Sequence, residues 1–265
     1  MEKILEICCG ELAAVQAALE GGASRIELCS GLEEGGMTPS LGLVKAAVAT
    51  GIKEVNVLIR PRSGDFLYSG GDILAMEEDI RMVVAAGASG VVIGALDCRG
   101  DVDIPLCRRL IEAAREASGK AGGPHITFHR AFDVCRDPFR SLEAIMDLGC
   151  DSLLTSGCQP DACRGIPLLK KLVERAAGGI GIIAGSGVNP ANAARILAST
   201  GVDGLHSTAR TMSRTRMRFL SPHVSFGENR LSTDPAAVEA LRAIVSEGVA
   251  KPPSNGRDMP SACLQ

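Results

Sequence analysis

Eight short β-rich runs alternate with longer helical patterns along these 265 residues, and nothing else in the sequence restricts the fold as strongly. The runs cover 4–8, 25–29, 54–60, 90–94, 125–129, 152–155, 180–184 and 204–206. Between them apolar residues recur at spacings of three and four, which predicts helices over 11–19, 73–86, 104–117, 139–148, 167–176 and 192–199. A last helix is expected over 235–249, with Asp234 placed to cap it. Most helical stretches stop at a glycine before the next strand, for example at Gly51, Gly87, Gly149 and Gly201, where a left-handed C-cap is expected. Eight such units in roughly 250 residues predict an α/β architecture, a single (β/α)8 TIM barrel over residues 1–250. The rival is an open doubly wound sheet. That fold calls for a glycine-rich dinucleotide fingerprint in the first strand–helix turn, and Cys8-Cys9-Gly10-Glu11 lacks one. Residues 251–265, rich in Pro, Ser and Gly, are expected to be a disordered tail.

Composition removes several function classes. A net charge of −3 offers no electrostatic footprint for nucleic acid, and 3% aromatics without Trp leave no stacking platform for single strands. No apolar run approaches the ~20 residues that span a bilayer, and no secretory signal is legible at the start, so a cytoplasmic protein without a membrane partner is expected. The ten cysteines show no C-x-x-C and none of the paired spacings of a disulfide scaffold, so reduced thiols are expected.

The first two strands end alike, in Glu6-Ile7-Cys8 and Glu27-Leu28-Cys29. Strand side chains alternate faces, so Glu6, Cys8, Glu27 and Cys29 share the inward face while Ile7 and Leu28 face the helices. Polar groups in that position cost free energy unless paired or liganded, so the pattern points to a site. Cys8 and Cys29 lie on strands expected ~4.8 Å apart and could clamp one soft ion between them. Thiolates select Cu(I) or Zn(II), and two in-phase thiols favour the low-coordinate Cu(I). Cys9 has the opposite phase and is expected among the helices.

The remaining strand ends are also polar. Arg60, with Arg62 and Asp65 behind it, forms a stiff turn with two guanidiniums; His129 and Asp133 close the fifth strand; His206 closes the eighth. Gly185, Ser186 and Gly187 after strand seven and Ser207 after strand eight lie where barrels commonly hold phosphate, giving a possible anion site. His129 with Asp133, Glu6 or Glu27 could move protons. Plain charge neutralisation offers a structural reading, with Glu6 against Arg60 and Glu27 against Arg25. The arginines after residue 210, Arg214, Arg216 and Arg218, read as a solvated loop.

Several longer runs resemble the CutC copper homeostasis protein family. They are Leu5-Glu6-Ile7-Cys8-Cys9, Arg25-Ile26-Glu27-Leu28-Cys29, Glu34-Gly35-Gly36-Met37-Thr38-Pro39-Ser40, Arg60-Pro61-Arg62-Ser63-Gly64-Asp65-Phe66, Thr127-Phe128-His129-Arg130-Ala131-Phe132-Asp133 and Leu205-His206-Ser207. The resemblance implies a cytoplasmic TIM barrel that self-associates as a dimer or tetramer and handles copper, with Cu(I) held at positions matching Cys8 and Cys29. Ser63 stands where the family commonly has glycine. The resemblance does not account for Arg60, Arg62, Asp65, His129 and Asp133. They keep open an enzyme (a lyase, isomerase or hydrolase) acting on a small anionic metabolite at the same barrel mouth. A scaffold whose outer helices bind a partner ranks last.

Overall fold

The computed structural model describes residues 3–119, 122–225 and 229–247. Its centre is a closed parallel barrel of eight strands: β1 (Ile4–Cys9), β2 (Arg25–Leu28), β3 (Glu54–Leu58), β4 (Gly90–Ile93), β5 (His125–Phe128), β6 (Ser152–Thr155), β7 (Gly181–Ala184) and β8 (Gly204–Ser207). Strand β8 closes on β1 with Glu6 opposite His206. The outer layer comprises α1 (Leu12–Glu20), α2 (Leu41–Ala49), α3 (Gly70–Ala85), α4 (Ile104–Ser118), α5 (Pro138–Asp147), α6 (Ala162–Ala176), α7 (Ala193–Thr200) and α8 (Pro235–Glu247). This is the (β/α)8 TIM barrel expected from the alternation. The expected tail 251–265 lies outside the described residues.

Alternation explains the layering. Ile7, Leu28, Val57 and Ile93 point outward from their strands and join the core shared with the helices. Cys8, Cys29, Leu58 and Val92 point inward and form a separate small cluster within the barrel. Gly90 carries no side chain because a Cβ there would lie 2.4 Å from Asn56 Oδ1 and 2.6 Å from the His125 carbonyl.

Caps set several helix starts earlier than the apolar pattern predicts. Ser69 and Asp72 form a reciprocal capping box that starts α3 at Gly70 rather than at residue 73. Asp161 accepts from the Arg164 amide and starts α6 at Ala162, which leaves Pro167 inside the helix rather than at its first position. Ser40 likewise caps α2, an element absent from the expected helices, by accepting from Leu43 N. Asp234 accepts from Ala236 N, the capping role expected of it.

The segment after β8 departs from the solvated-loop expectation at Arg214, which closes a strand, while Arg216 and Arg218 are exposed and outside any strand, as expected. Strand β9 (Arg210–Arg214) pairs antiparallel with β10 (Asn229–Thr233) as an arm beside the barrel. Both faces of β9 are largely exposed, so no hydrophobic alternation marked it.

Candidate functional site

Parallel register brings the inward groups of β1, β2 and β8 together. Glu6 stands beside Arg25 on one side and His206 on the other, while Cys8 stands beside Glu27. Arg25 Nε donates to Glu6 Oε2 at 2.7 Å, Asn56 Nδ2 donates to the same oxygen at 3.3 Å, and His206 Nδ1 lies 2.9 Å from Glu6 Oε1. The Arg25 guanidinium also reaches His125 Nε2 and Thr127 Oγ1. The pairing therefore differs from the simple neutralisation considered above: Glu6 takes Arg25, and Arg60 takes neither acid. Strand stagger decides this, because Arg25 stands level with Glu6 on the neighbouring strand.

Burial alone would raise the Glu6 carboxyl. The Arg25 charge, followed by His206, outweighs it and holds the group at about 2. Glu27 has no such partner within bonding distance. Burial pushes its carboxyl up, opposed by the attraction of His206, and its Oε2 atom is buried without a hydrogen bond. His206 is likewise disfavoured as a cation by burial, but Glu27 and Glu6 more than reverse this and raise it.

Above this layer Cys8 Sγ lies 3.7 Å from Cys29 Sγ and 3.5 Å from Glu27 Oε1. Cys8, Glu27 and His206 each offer one ligand atom, all within 4.8 Å of one another and all buried. The hydrogen bond with Cys29, and then burial, push the Cys8 thiol up. Cys9 faces the helix core, as its phase predicts, and all cysteines among the described residues are free thiols.

A cavity of about 320 Å³ opens over this cluster at the C-terminal end of the barrel. Of the residues singled out in the sequence, it brings together Cys8, Glu27, Arg60, His129, Ser186, Gly187 and Ser207. Cys29 lies behind Cys8 and Glu6 beneath it. Gly185 packs behind the wall, where a Cβ would lie 2.7 Å from Leu154 Cδ1.

Three of the expected polar residues are occupied elsewhere. Arg62 pairs with Asp65 at 2.8 Å and with Asp72 at 3.4 Å and donates to the Leu67 carbonyl, so Arg62 and Asp65 latch their own loop outside the cavity wall. Asp133 does not meet His129. It takes Arg130 Nε at 2.7 Å and the amides of Ser156 and Cys158, tying the turn after β5 to the loop after β6. Arg60 does line the cavity, but two of its nitrogens are committed to the carbonyls of Glu34, Gly36 and Gly64.

Three cavity-lining residues were weighted too lightly from sequence. His206 had the inward phase on the last strand, but its pairing with Glu6 follows only from closure of β8 on β1. Arg130 follows His129 after strand five and Arg210 follows strand eight beside the possible anion site, and the barrel mouth collects both.

Residues 3–211 match the model of the CutC family. The chain belongs to the CutC family. A CutC protein of Parabacteroides distasonis is 45% identical over 243 residues, covering 91% of this chain and 97% of the relative. The human copper homeostasis protein cutC homolog is 41% identical over 248 residues, covering 91% and 88% respectively. The crystal structure of CutC from Streptococcus agalactiae superposes with a TM-score of 0.71 at 32% identity, covering 78% of this chain and 98% of that one. A thiamine phosphate pyrophosphorylase of Pyrococcus furiosus, at 21% identity and a TM-score of 0.55, shares the barrel alone. The copper homeostasis family thus frames a site whose sulfur, carboxylate and imidazole groups could hold a metal ion. No helix among the described residues is long and apolar enough to cross a membrane.

Proposed function

We propose that the chain takes part in copper homeostasis by binding Cu(I) in the cytoplasm through Cys8 and Cys29, with Glu27 and His206 completing the set. The observation that carries the reading is the pair of buried sulfurs 3.7 Å apart, of which Cys8 lines the cavity and Cys29 lies behind it. One ion reaches both, because two metal–sulfur bonds of about 2.3 Å each span more than that separation. Soft sulfur suits Cu(I). His206 supports the fit: its Nδ1 is turned to the Glu6 carboxylate, which frees Nε2 for a ligand and orients the ring, the arrangement commonly found around ligating histidines. A copper ion here is cargo held by the chain, and its positive charge offsets that of the thiolate ligands.

Binding must displace the proton that the hydrogen bond with Cys29, and then burial, hold on the Cys8 thiol, and one from His206 when that ring is charged. Affinity is therefore expected to rise with pH, about tenfold per unit for each proton released. Competition of the reduced protein against a Cu(I) chelator tests the assignment. Cys8→Ser and Cys29→Ser are each expected to weaken binding by about a hundredfold or more, and His206→Ala by about tenfold. Unchanged affinity in both cysteine variants removes them as ligands.

Self-association is part of the same proposal. The segment after β9 exposes Met217, Phe219, Leu220 and Val224 within eight residues, and so many exposed apolar side chains in one short stretch support a contact surface there. Sedimentation is expected to find a dimer or tetramer, and Phe219→Asp is expected to shift it toward monomer. A monomeric wild type at micromolar concentration overturns that part.

A further inference from the structure

Among the described residues, three buried N–H groups without a hydrogen-bond partner belong to residues that line one cavity. They are Arg60 Nε, His129 Nε2 and Arg210 Nε. A buried donor left unpaired is costly, and more so when charged, and the three residues border one space, so an acceptor bound there would serve all three. A copper ion cannot serve, since none of these groups offers it an electron pair.

The protonation of His129 follows from its neighbours. Its Nδ1 accepts from the Ala131 amide at 3.1 Å, so the ring proton sits on Nε2 and that atom is a donor. Burial, and then the Arg60 charge, push the imidazolium down to about 3, so the ring is neutral near pH 7 and offers a hydrogen bond rather than taking a proton. Phe66 fixes both donors, with its ring 5.1 Å from the His129 ring centroid and 5.1 Å from Arg60 Cζ. Among the described residues the ion-pair partner of Arg210 is Glu33, at 3.7 Å, whose side chain is 84% exposed. Arg130, the third guanidinium on the wall, is already neutralised by Asp133.

We infer that the cavity is a binding site for a small metabolite carrying an oxyanion group, a phosphate or a carboxylate, held by Arg60, His129 and Arg210. Guanidinium and imidazole N–H groups are the donors that charge-assisted oxyanion recognition uses. The volume of about 320 Å³ is at the lower end of the range for small-molecule pockets, so the ligand is a compact one. Gly187 and Thr208 line the same space. The site does not depend on copper, because none of its three donors belongs to the metal cluster.

Calorimetric titration of the reduced, metal-free protein with inorganic phosphate, glycerol 3-phosphate and succinate tests the inference and separates the two oxyanion classes. At least one probe is expected to bind one-to-one with a Kd below about 1 mM. Arg210→Met and His129→Phe are each expected to weaken that binding about tenfold or more, as the loss of one charge-assisted or buried donor implies. Arg216→Met, on the exposed arm, should leave it unchanged. Arg210 lies at the barrel edge, so its variant decides the matter even if His129→Phe fails to fold. No heat and no rise in melting temperature with any probe at about 10 mM overturns the inference, as does equal affinity in wild type and Arg210→Met. Copper titration of the same samples reads the metal proposal separately.

Discussion

Arg25→Met is expected to lower the stability of the fold by about 3–5 kcal/mol at neutral pH, because it leaves the Glu6 carboxylate buried without its closest cation. Glu6 is fully buried, Arg25 is 3% exposed, and their contact is 2.7 Å. Protonation gives the effect a recognisable signature. The folded-state pKa of Glu6 is depressed to about 2 from an ordinary 4.5. Its contribution is therefore fully present above about pH 4.5 and is lost as pH falls toward 2, on the order of 3 kcal/mol in all. In Arg25→Met the carboxyl protonates more readily, so the difference from wild type should shrink between pH 6 and pH 3.5. Glu6→Leu with Arg25→Met should recover much of the loss, since removing both charges leaves neither unpaired. Urea unfolding at the two pH values measures the wild type and both variants. A cost below about 1 kcal/mol for Arg25→Met, independent of pH, would show that the pair does not hold the barrel centre together.

Gly165→Ala should be comparably severe, by a steric rather than an electrostatic route. A Cβ at Gly165 would sit 1.7 Å from the Ser156 carbonyl oxygen and 3.1 Å from Gly157 Cα. Helix α6 rests there directly on the loop after β6, and that loop cannot retreat easily because the Ser156 and Cys158 amides are anchored on Asp133. Relief requires the helix to lift from the barrel, at about 3 kcal/mol or more, or a melting temperature lower by about 6–12 °C. Gly71→Ala is the control. It lies in α3, where a Cβ meets nothing closer than 3.9 Å, and the change should be neutral or slightly stabilising. A Gly165→Ala protein that melts with wild type would mean that the helix and loop adjust at no cost.

Much of the site was legible because strand phase is a local property. Glu6, Cys8, Glu27 and Cys29 were placed on the inward face by counting along two short strands, and the two sulfurs do lie together. His129 and Arg60 could be named as strand-end residues for the same reason. Their roles were not legible. Arg62 and Asp65 looked like a basic turn facing a ligand, yet they close on each other. Asp133 looked like a partner for His129, yet it faces the loop after β6. All three sit in turns beyond the strand ends, where strand phase no longer fixes direction, and which polar group each meets depends on loops distant in sequence.

Periodicity, glycine stops and strand phase, all set by a few neighbouring residues, determined the barrel, its helical layer and the set of inward-facing groups from sequence alone. Closure decided the rest. Pairing β8 with β1 put His206 against Glu6, stagger gave Arg25 to Glu6 instead of Glu27, and the barrel mouth gathered Arg60, His129 and Arg210 around one space. Those partnerships join residues up to 200 positions apart, and register between strands, which no local pattern encodes, selects them.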